Sequence, residues 1–273
     1  MMATAMRTVM RRRLTSWAPV RVYLRDWAFF SRMWWSVMLG SIIQPLMFLL
    51  GVGLGVGELV DNGREAANVL GDTSYFAFYA TALFATSAMF VLSQEAMWGT
   101  MDGFQWSNAY VAMIATPLTA TDVALGKALH FAMRAIFTGV GVALVLALFD
   151  DTRRLGLLMA PFGSVLTGLA FGLPIAAWTG SRTTDTSFAA ILRFGVIPMF
   201  LFGGAFYPIE QLPDWLQPVA WLTPLWHGVE LCRGLVLGGL SIGSFALHVG
   251  VLVGFCSAGL FAMTKTFEAR LRA

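Results

Sequence analysis

The sequence predicts an all-α membrane protein with six transmembrane helices, and three observations carry that prediction. First, hydrophobic residues make up 58% of the 273-residue chain and charged residues only 12%, with a mean hydropathy of +0.71. A soluble domain carries about a quarter charged residues, so this chain cannot coat a globule with ions. Second, the charges are separated by long apolar stretches. Third, the basic residues gather at the two ends of the chain.

The composition also excludes several classes. Disorder needs low hydrophobicity and high charge. A disulfide scaffold or a cysteine metal site needs more than Cys232 and Cys256, which no metal spacing joins. A net charge of +3 with the cations at the chain ends suits a lipid surface better than nucleic acid.

A membrane helix needs about 20 apolar residues to cross about 30 Å of hydrocarbon. No charge falls between Arg32 and Glu58, Asp72 and Glu95, Arg154 and Arg182, or Arg233 and Lys265. Arg134 is the sole charge between Lys127 and Asp150, and Arg193 the sole charge between Asp185 and Glu210. These stretches place spans near 34–56, 74–94, 125–149, 155–179, 187–206 and 241–263. The transmembrane unit is then 34–264, flanked by N- and C-terminal segments 1–33 and 265–273.

An even number of spans puts both ends on one side, and cytoplasmic segments carry excess Lys and Arg. The N-terminal segment holds Arg7, Arg11, Arg12, Arg13, Arg21, Arg25 and Arg32 against Asp26, and the C-terminus Lys265, Arg270 and Arg272 against Glu268. Segments 57–73, 150–154 and 207–240 hold nine acids against four arginines. Both termini are therefore expected in the cytoplasm of a plasma (inner) membrane protein, with the acidic segments outside. The basic N-terminus does not read as a signal peptide, because the apolar run is too long and no small-residue cleavage site follows.

Residues 20–32 place Val20, Tyr23, Leu24, Trp27 and Phe30 near one helical face, away from Arg21, Arg25 and Arg32. This pattern suits an interfacial amphipathic helix lying on the inner leaflet; the alternative is an extension of the first span. Stretch 95–124 is long for a loop. It mixes apolar and polar residues until Pro117 interrupts it, which predicts one or two short helices below the membrane.

Stretch 203–240 is broken by Pro208, Pro213, Pro218 and Pro224, with Trp215, Trp221 and Trp226 interleaved. Tryptophan favours the lipid–water boundary. Proline-broken apolar helices suit a re-entrant pair covered by protein; a static folded cap is the alternative.

No catalytic site is expected. The nearest string to a phosphate-binding loop, Gly126-Lys127-Ala128, has Thr121 where the first glycine belongs and no hydroxyl after the lysine. His130, His227 and His248 have no carboxylate or cysteine at ligand spacing. Ser164 and His248 could pair as in an intramembrane protease, but Ser164 lacks the glycine frame of such a nucleophile. Arg134 and Arg193 lie inside the inner ends of their spans. There they either snorkel to the headgroups or catch an anionic headgroup at an inner entrance. No file of carboxylates crosses the bilayer, which argues against proton or sodium coupling.

Several strings together resemble the type 2 permeases of ABC transporters, and in particular their NodJ-like branch, associated with lipo-oligosaccharide and drug export. They are Glu95-Ala-Met-Trp-Gly99-Thr100, Ala115-Thr116-Pro117-Leu118, Leu125-Gly126-Lys127, Phe202-Gly-Gly-Ala-Phe-Tyr-Pro208, Leu212-Pro213-Asp-Trp215-Leu216 and Pro224-Leu225-Trp226-His227-Gly228. The resemblance implies a membrane subunit with no cofactor of its own. ATP and Mg would be bound by a separate ABC ATPase present in two copies, and a second permease chain, identical or related, would complete the assembly.

The resemblance also implies a coupling helix between spans two and three, within 99–118, seated on the ATPase through Thr100, Asp102, Gln105, Trp106, Thr116 and Pro117. A substrate path between two chains would be lined from the second and fifth spans by Phe76, Phe84, Met89, Phe188, Phe194 and Met199. Tyr207, Pro208, Trp215, Trp221 and Trp226 would form an outer gate. The function implied is outward, ATP-driven movement of an amphipathic drug, glycolipid or lipo-oligosaccharide. An ATP-independent secondary transporter or channel is the competing reading.

Overall fold

The computed structural model describes residues 17–57, 60 and 73–272, and among these every regular element is helical. Arg7, Arg11, Arg12 and Arg13, together with Asp61, Glu65 and Asp72 of the first outer segment, lie outside the described residues. Five helices are long and apolar enough to cross a membrane: Ala18–Gly53, Tyr75–Trp106, Ala120–Leu146, Leu155–Gly180 and Ile242–Arg272.

Helix α1 (Ala18–Phe48) starts with Pro19 in its first turn and continues into a π-helical stretch, Leu49–Leu54. It passes without interruption through the point where a separate interfacial helix was expected to end. The correction has a packing cause. Ala18, Val22, Asp26 and Phe30 are buried at four-residue spacing, and this stripe faces α4 (Ala120–Leu146) instead of lipid. The approach is so close that a Cβ on Gly126 of α4 would lie 2.5 Å from Val22 Cβ and 2.6 Å from the Pro19 carbonyl. Phe30 adds a ring contact to Phe137 at 5.0 Å.

Helix α2 (Tyr75–Gln94) is capped by the Ser74 hydroxyl, which accepts from the Ala77 amide. Every residue from Tyr75 to Met89 is buried. A helix apolar on all sides belongs in the middle of a bundle. Its threonines donate to its own carbonyls, Thr81 to Ala77 and Thr86 to Ala82, whereas the buried hydroxyls of Tyr79 and Ser93 have no hydrogen-bond partner among the described residues. Beyond Gln94 the helix continues through π turns at Glu95–Gly99 and Asp102–Trp106. The expected loop is therefore largely an extension of α2, followed by one short helix, α3 (Ala109–Ile114). Pro117 follows α3, and a Thr119–Asp122 capping box starts α4.

Helix α5 (Ala160–Gly180) meets α9 (Ile242–Arg272) tightly, since a Cβ on Gly259 would come 2.5 Å from the Pro174 ring. Helix α9 runs nine residues past the end expected for the sixth span, because its last turns pack on the rest of the protein: Phe267 is fully buried.

The fifth expected span is shorter than predicted. Helix α6 (Phe188–Phe202) is an apolar helix with a π turn at Leu192–Val196. It stops at Gly203 and at Gly204, whose φ of +77° favours glycine. After it, Ile209, Leu212 and Ala220 form a small cluster with α7 (Gln217–Trp221). Helix α8 (Pro224–Leu237) packs against α2, α5 and α9. There Gly228 leaves room for Thr167, whose Oγ1 would lie 2.1 Å from a Cβ.

Candidate functional site

The first turn of α1, the end of α2, the start of α4 and the end of α9 converge at one end of the bundle. Arg270 of α9 donates to the carbonyls of Gly180 and Arg182 at 2.9 and 2.6 Å, and its guanidinium lies 4.2 Å from the Phe104 ring centre. Thr121 of α4 donates to Glu268 at 2.7 Å. Tyr110 of α3 is buried against Phe104 and Phe267. Burial pushes its phenol up to about 12, because the ionised form would lose its hydration.

Inside this end lies a cluster of charges. Lys127, 5% exposed, places Nζ 3.2 Å from Glu95 Oε1 and 3.5 Å from Asp26 Oδ2. His130 Nε2 is 3.4 Å from the same Glu95 oxygen, and Arg134 Nε is 3.9 Å from the other. Asp26 also pairs with Arg25 at 3.1 Å. Lys127, His130 and Arg134 fall on one face of α4 at helical spacing. The Glu95 carboxylate meets them from the first π turn of α2.

Gly99 makes room for this arrangement, since a Cβ there would lie 2.6 Å from Glu95 Oε1. Buried ions cost several kcal/mol each unless paired, so the cluster holds α1, α2 and α4 in one arrangement. Some polar atoms have no hydrogen-bond partner among the described residues: His130 Nδ1 and Arg134 Nε and Nη1. Arg134 borders a cavity of about 290 Å³ with Gln44, Gln94, Glu95 and Trp98.

The residues expected to meet an ATPase divide by burial. Trp106, Thr116 and Pro117 are exposed, and Asp102 and Gln105 are half-buried. The Asp102 carboxylate accepts from the Ser107 hydroxyl at 3.2 Å. Thr100 is fully buried, so its side chain faces the bundle.

The expected path residues differ in burial. Phe76, Phe84 and Met89 are core residues, 7%, 0% and 0% exposed, because α2 is the central helix. Phe188 is buried against Trp98 and Trp178. Met199 is half-buried, and Phe194 alone of the six lies on the surface, 82% exposed. The two arginines also differ: Arg134 joins the cluster, whereas Arg193 is exposed and makes no ion pair among the described residues.

At the other end, Trp215 and Trp221 are exposed, and Tyr207, Pro208 and Trp226 are half-buried. Trp226 stacks edge-on to His227 and His248, whose Nδ1 atoms are 2.9 Å apart. His227 Nε2 donates to the Trp221 carbonyl at 3.0 Å, so in the neutral pair His248 donates through Nδ1. Ser164 donates instead to the Phe84 carbonyl at 2.5 Å, so no serine–histidine pair forms. No group of three or more His, Cys, Asp or Glu able to hold a metal occurs among the described residues.

Sequence reasoning missed Asp26, Glu95, Lys127 and His130 as one unit, taking two of them as span boundaries. The spacing of Lys127, His130 and Arg134 on one helical face was the available signal.

Comparison with known proteins agrees with this architecture. The sequence profile of the ABC-2 type transporter family matches residues 20–237. Nodulation protein J of Rhizobium leguminosarum bv. viciae is 30% identical over 250 residues, covering 92% of this chain and 93% of that protein. Nodulation protein J of Rhizobium meliloti is 29% identical over 255 residues, covering 93% and 94%. The probable multidrug ABC transporter permease YbhR of Escherichia coli is 26% identical over 134 residues, covering 48% and 36%. The profile spans α1 through α8 with the charge cluster inside it, and the chain is a multi-pass membrane protein of the ABC-2 type transporter family.

Proposed function

We propose that this chain is the membrane subunit of an ATP-driven exporter that moves an amphipathic molecule outward across the plasma membrane. The observation that carries the reading is the grip of Glu95 on Lys127, His130 and Arg134 at the point where α2 extends toward Trp106. A push on the 99–118 segment would then tilt α1, α2 and α4 together, the rigid-element motion that converts closure of one protein into rearrangement of another. The energy would come from two copies of a separate ABC ATPase holding ATP and Mg. That ATPase would seat on the exposed Trp106, Thr116 and Pro117, with Asp102 and Gln105 beside them.

Both termini lie in the cytoplasm on this reading. A second permease chain, identical or related, completes the path, with Phe194 and Met199 of α6 facing it and Arg193 at its inner entrance. Tyr207, Pro208, Trp215, Trp221 and Trp226 form the outer gate over the re-entrant α7 and α8. The name of one relative, a probable multidrug ABC transporter permease, supports a drug as cargo, and a glycolipid or lipo-oligosaccharide is the cargo that the NodJ-like resemblance implies. The test is reconstitution with a copurifying ATPase in vesicles. Thr116→Ala is expected to lower substrate-stimulated ATP hydrolysis while the chain still reaches the membrane. Nucleotide turnover by the chain alone, or labelling of 95–118 from outside, would overturn the reading.

A further inference from the structure

A cleft of about 810 Å³ opens beside the charge cluster, between the first turns of α1 and the extension of α2. Its floor is the Lys127–Glu95–His130 network, in which the charges are already matched. The α1 wall carries Arg25, Phe29 and Arg32, and the α2 wall carries Trp98, Asp102 and Trp106. Arg25 is committed to Asp26. Two lining charges remain without an ionic partner among the described residues: Arg32 on one wall and Asp102 on the other. Phe29, Trp98 and Trp106 are exposed around them.

We infer that this cleft binds a zwitterionic headgroup bearing both a phosphate and a primary amine, with the phosphate on Arg32 and the ammonium on Asp102. The chemistry is complementary at each position. A guanidinium takes phosphate oxygens in a fork. A primary ammonium donates to a carboxylate and is attracted to the face of a neighbouring indole such as Trp106. A purely anionic headgroup would satisfy Arg32 and be repelled by Asp102, and a quaternary amine has no hydrogen to donate to the carboxylate. The narrower cavity at Gln44, Gln94 and Arg134 shares Glu95, Trp98 and Gly99 with the cleft. The two cavities thus lie side by side along α1. The inference goes beyond the export reading and does not need an ATPase to dock; an ATPase seated at Trp106 and Asp102 would share that edge of the cleft with the headgroup.

The test is lipid retention by the full chain, purified without ATPase from nanodiscs containing phosphatidylethanolamine, phosphatidylglycerol and phosphatidylcholine in equal parts and read by native mass spectrometry. Phosphatidylethanolamine should be retained about tenfold over the other two, the scale of one charged hydrogen bond. Asp102→Asn should abolish the preference over phosphatidylglycerol. Arg32→Gln should lower retention of both phosphatidylethanolamine and phosphatidylglycerol, and Leu155→Ala, at an exposed position outside the cleft, should leave the pattern unchanged. Displacement by soluble phosphoethanolamine assigns the site to the free head; retention that survives it assigns the site to the intact lipid. Equal retention of the three lipids, or a pattern unchanged in both Arg32→Gln and Asp102→Asn, overturns the inference. An ATPase that copurifies with a chain lacking lipid preference would leave the export reading standing and sink this one alone.

Discussion

Glu95 and Lys127 are joined at 3.2 Å across 32 positions of sequence, with the α2 carboxylate reaching the α4 ammonium over a glycine, Gly99, that leaves it space. The same carboxylate meets His130 and Arg134, so a single side chain joins α2 to about two turns of α4. Through Lys127 and Asp26 the link extends to α1.

Glu95→Gln should cost about 3–5 kcal/mol of stability, because it leaves Lys127 and Arg134 as poorly compensated buried cations. Lys127→Met in the same chain should recover part of that loss. Thermal unfolding in detergent of the two single variants and the double variant checks both statements, and strictly additive losses would contradict a direct pair.

Gly126→Ala should separate the first turns of α1 from α4, since the added methyl meets Val22 and the Pro19 backbone. Overpacking of this kind costs about 1–3 kcal/mol. Lipid-borne quenchers should then reach Trp27 more readily than in the native chain. Equal quenching in both proteins would favour an α1 start that lies on lipid.

Phe84→Ala should behave as a core deletion, lowering stability by about 3–5 kcal/mol. Its effect on transport should scale with the amount of folded protein. Removing the exposed ring with Phe194→Ala should leave stability within about 0.5 kcal/mol, as surface changes do, and alter the substrate profile instead. Unfolding curves paired with vesicle uptake separate the two behaviours.

His248→Ala should leave His227 Nδ1 buried beside Trp226 without its partner, at a cost of about 1–3 kcal/mol. His227→Ala should cost a similar amount and also free the Trp221 carbonyl. The double variant should lose less than the sum of the two, which the same unfolding assay reads.

Much of the architecture was legible in the chain. Apolar length between charges pointed to the five long apolar helices α1, α2, α4, α5 and α9, because hydrophobic burial is a property of composition over a window, but it missed the start of α1 at Ala18 and the end of α9 at Arg272. Pro117 marked the break before α4 for a reason internal to the backbone. The tryptophans and prolines of 203–240 flagged a segment of short helices, and the family strings pointed to the family that the profile match shows.

Other features depend on which faces meet, and hydropathy carries no such information. Residues 20–32 look amphipathic whether the apolar stripe meets lipid or α4, and the glycine at 126 settles that contact in favour of protein. The aromatics of α2 read equally well as path or core until neighbours enclose the helix on every side. Most of all, a charge appears in the sequence as an interruption, a place where a span stops. In the fold, Asp26, Glu95, Lys127 and Arg134 are drawn from three helices into one buried set, because an ion removed from water is tolerable only where another ion of opposite sign arrives beside it.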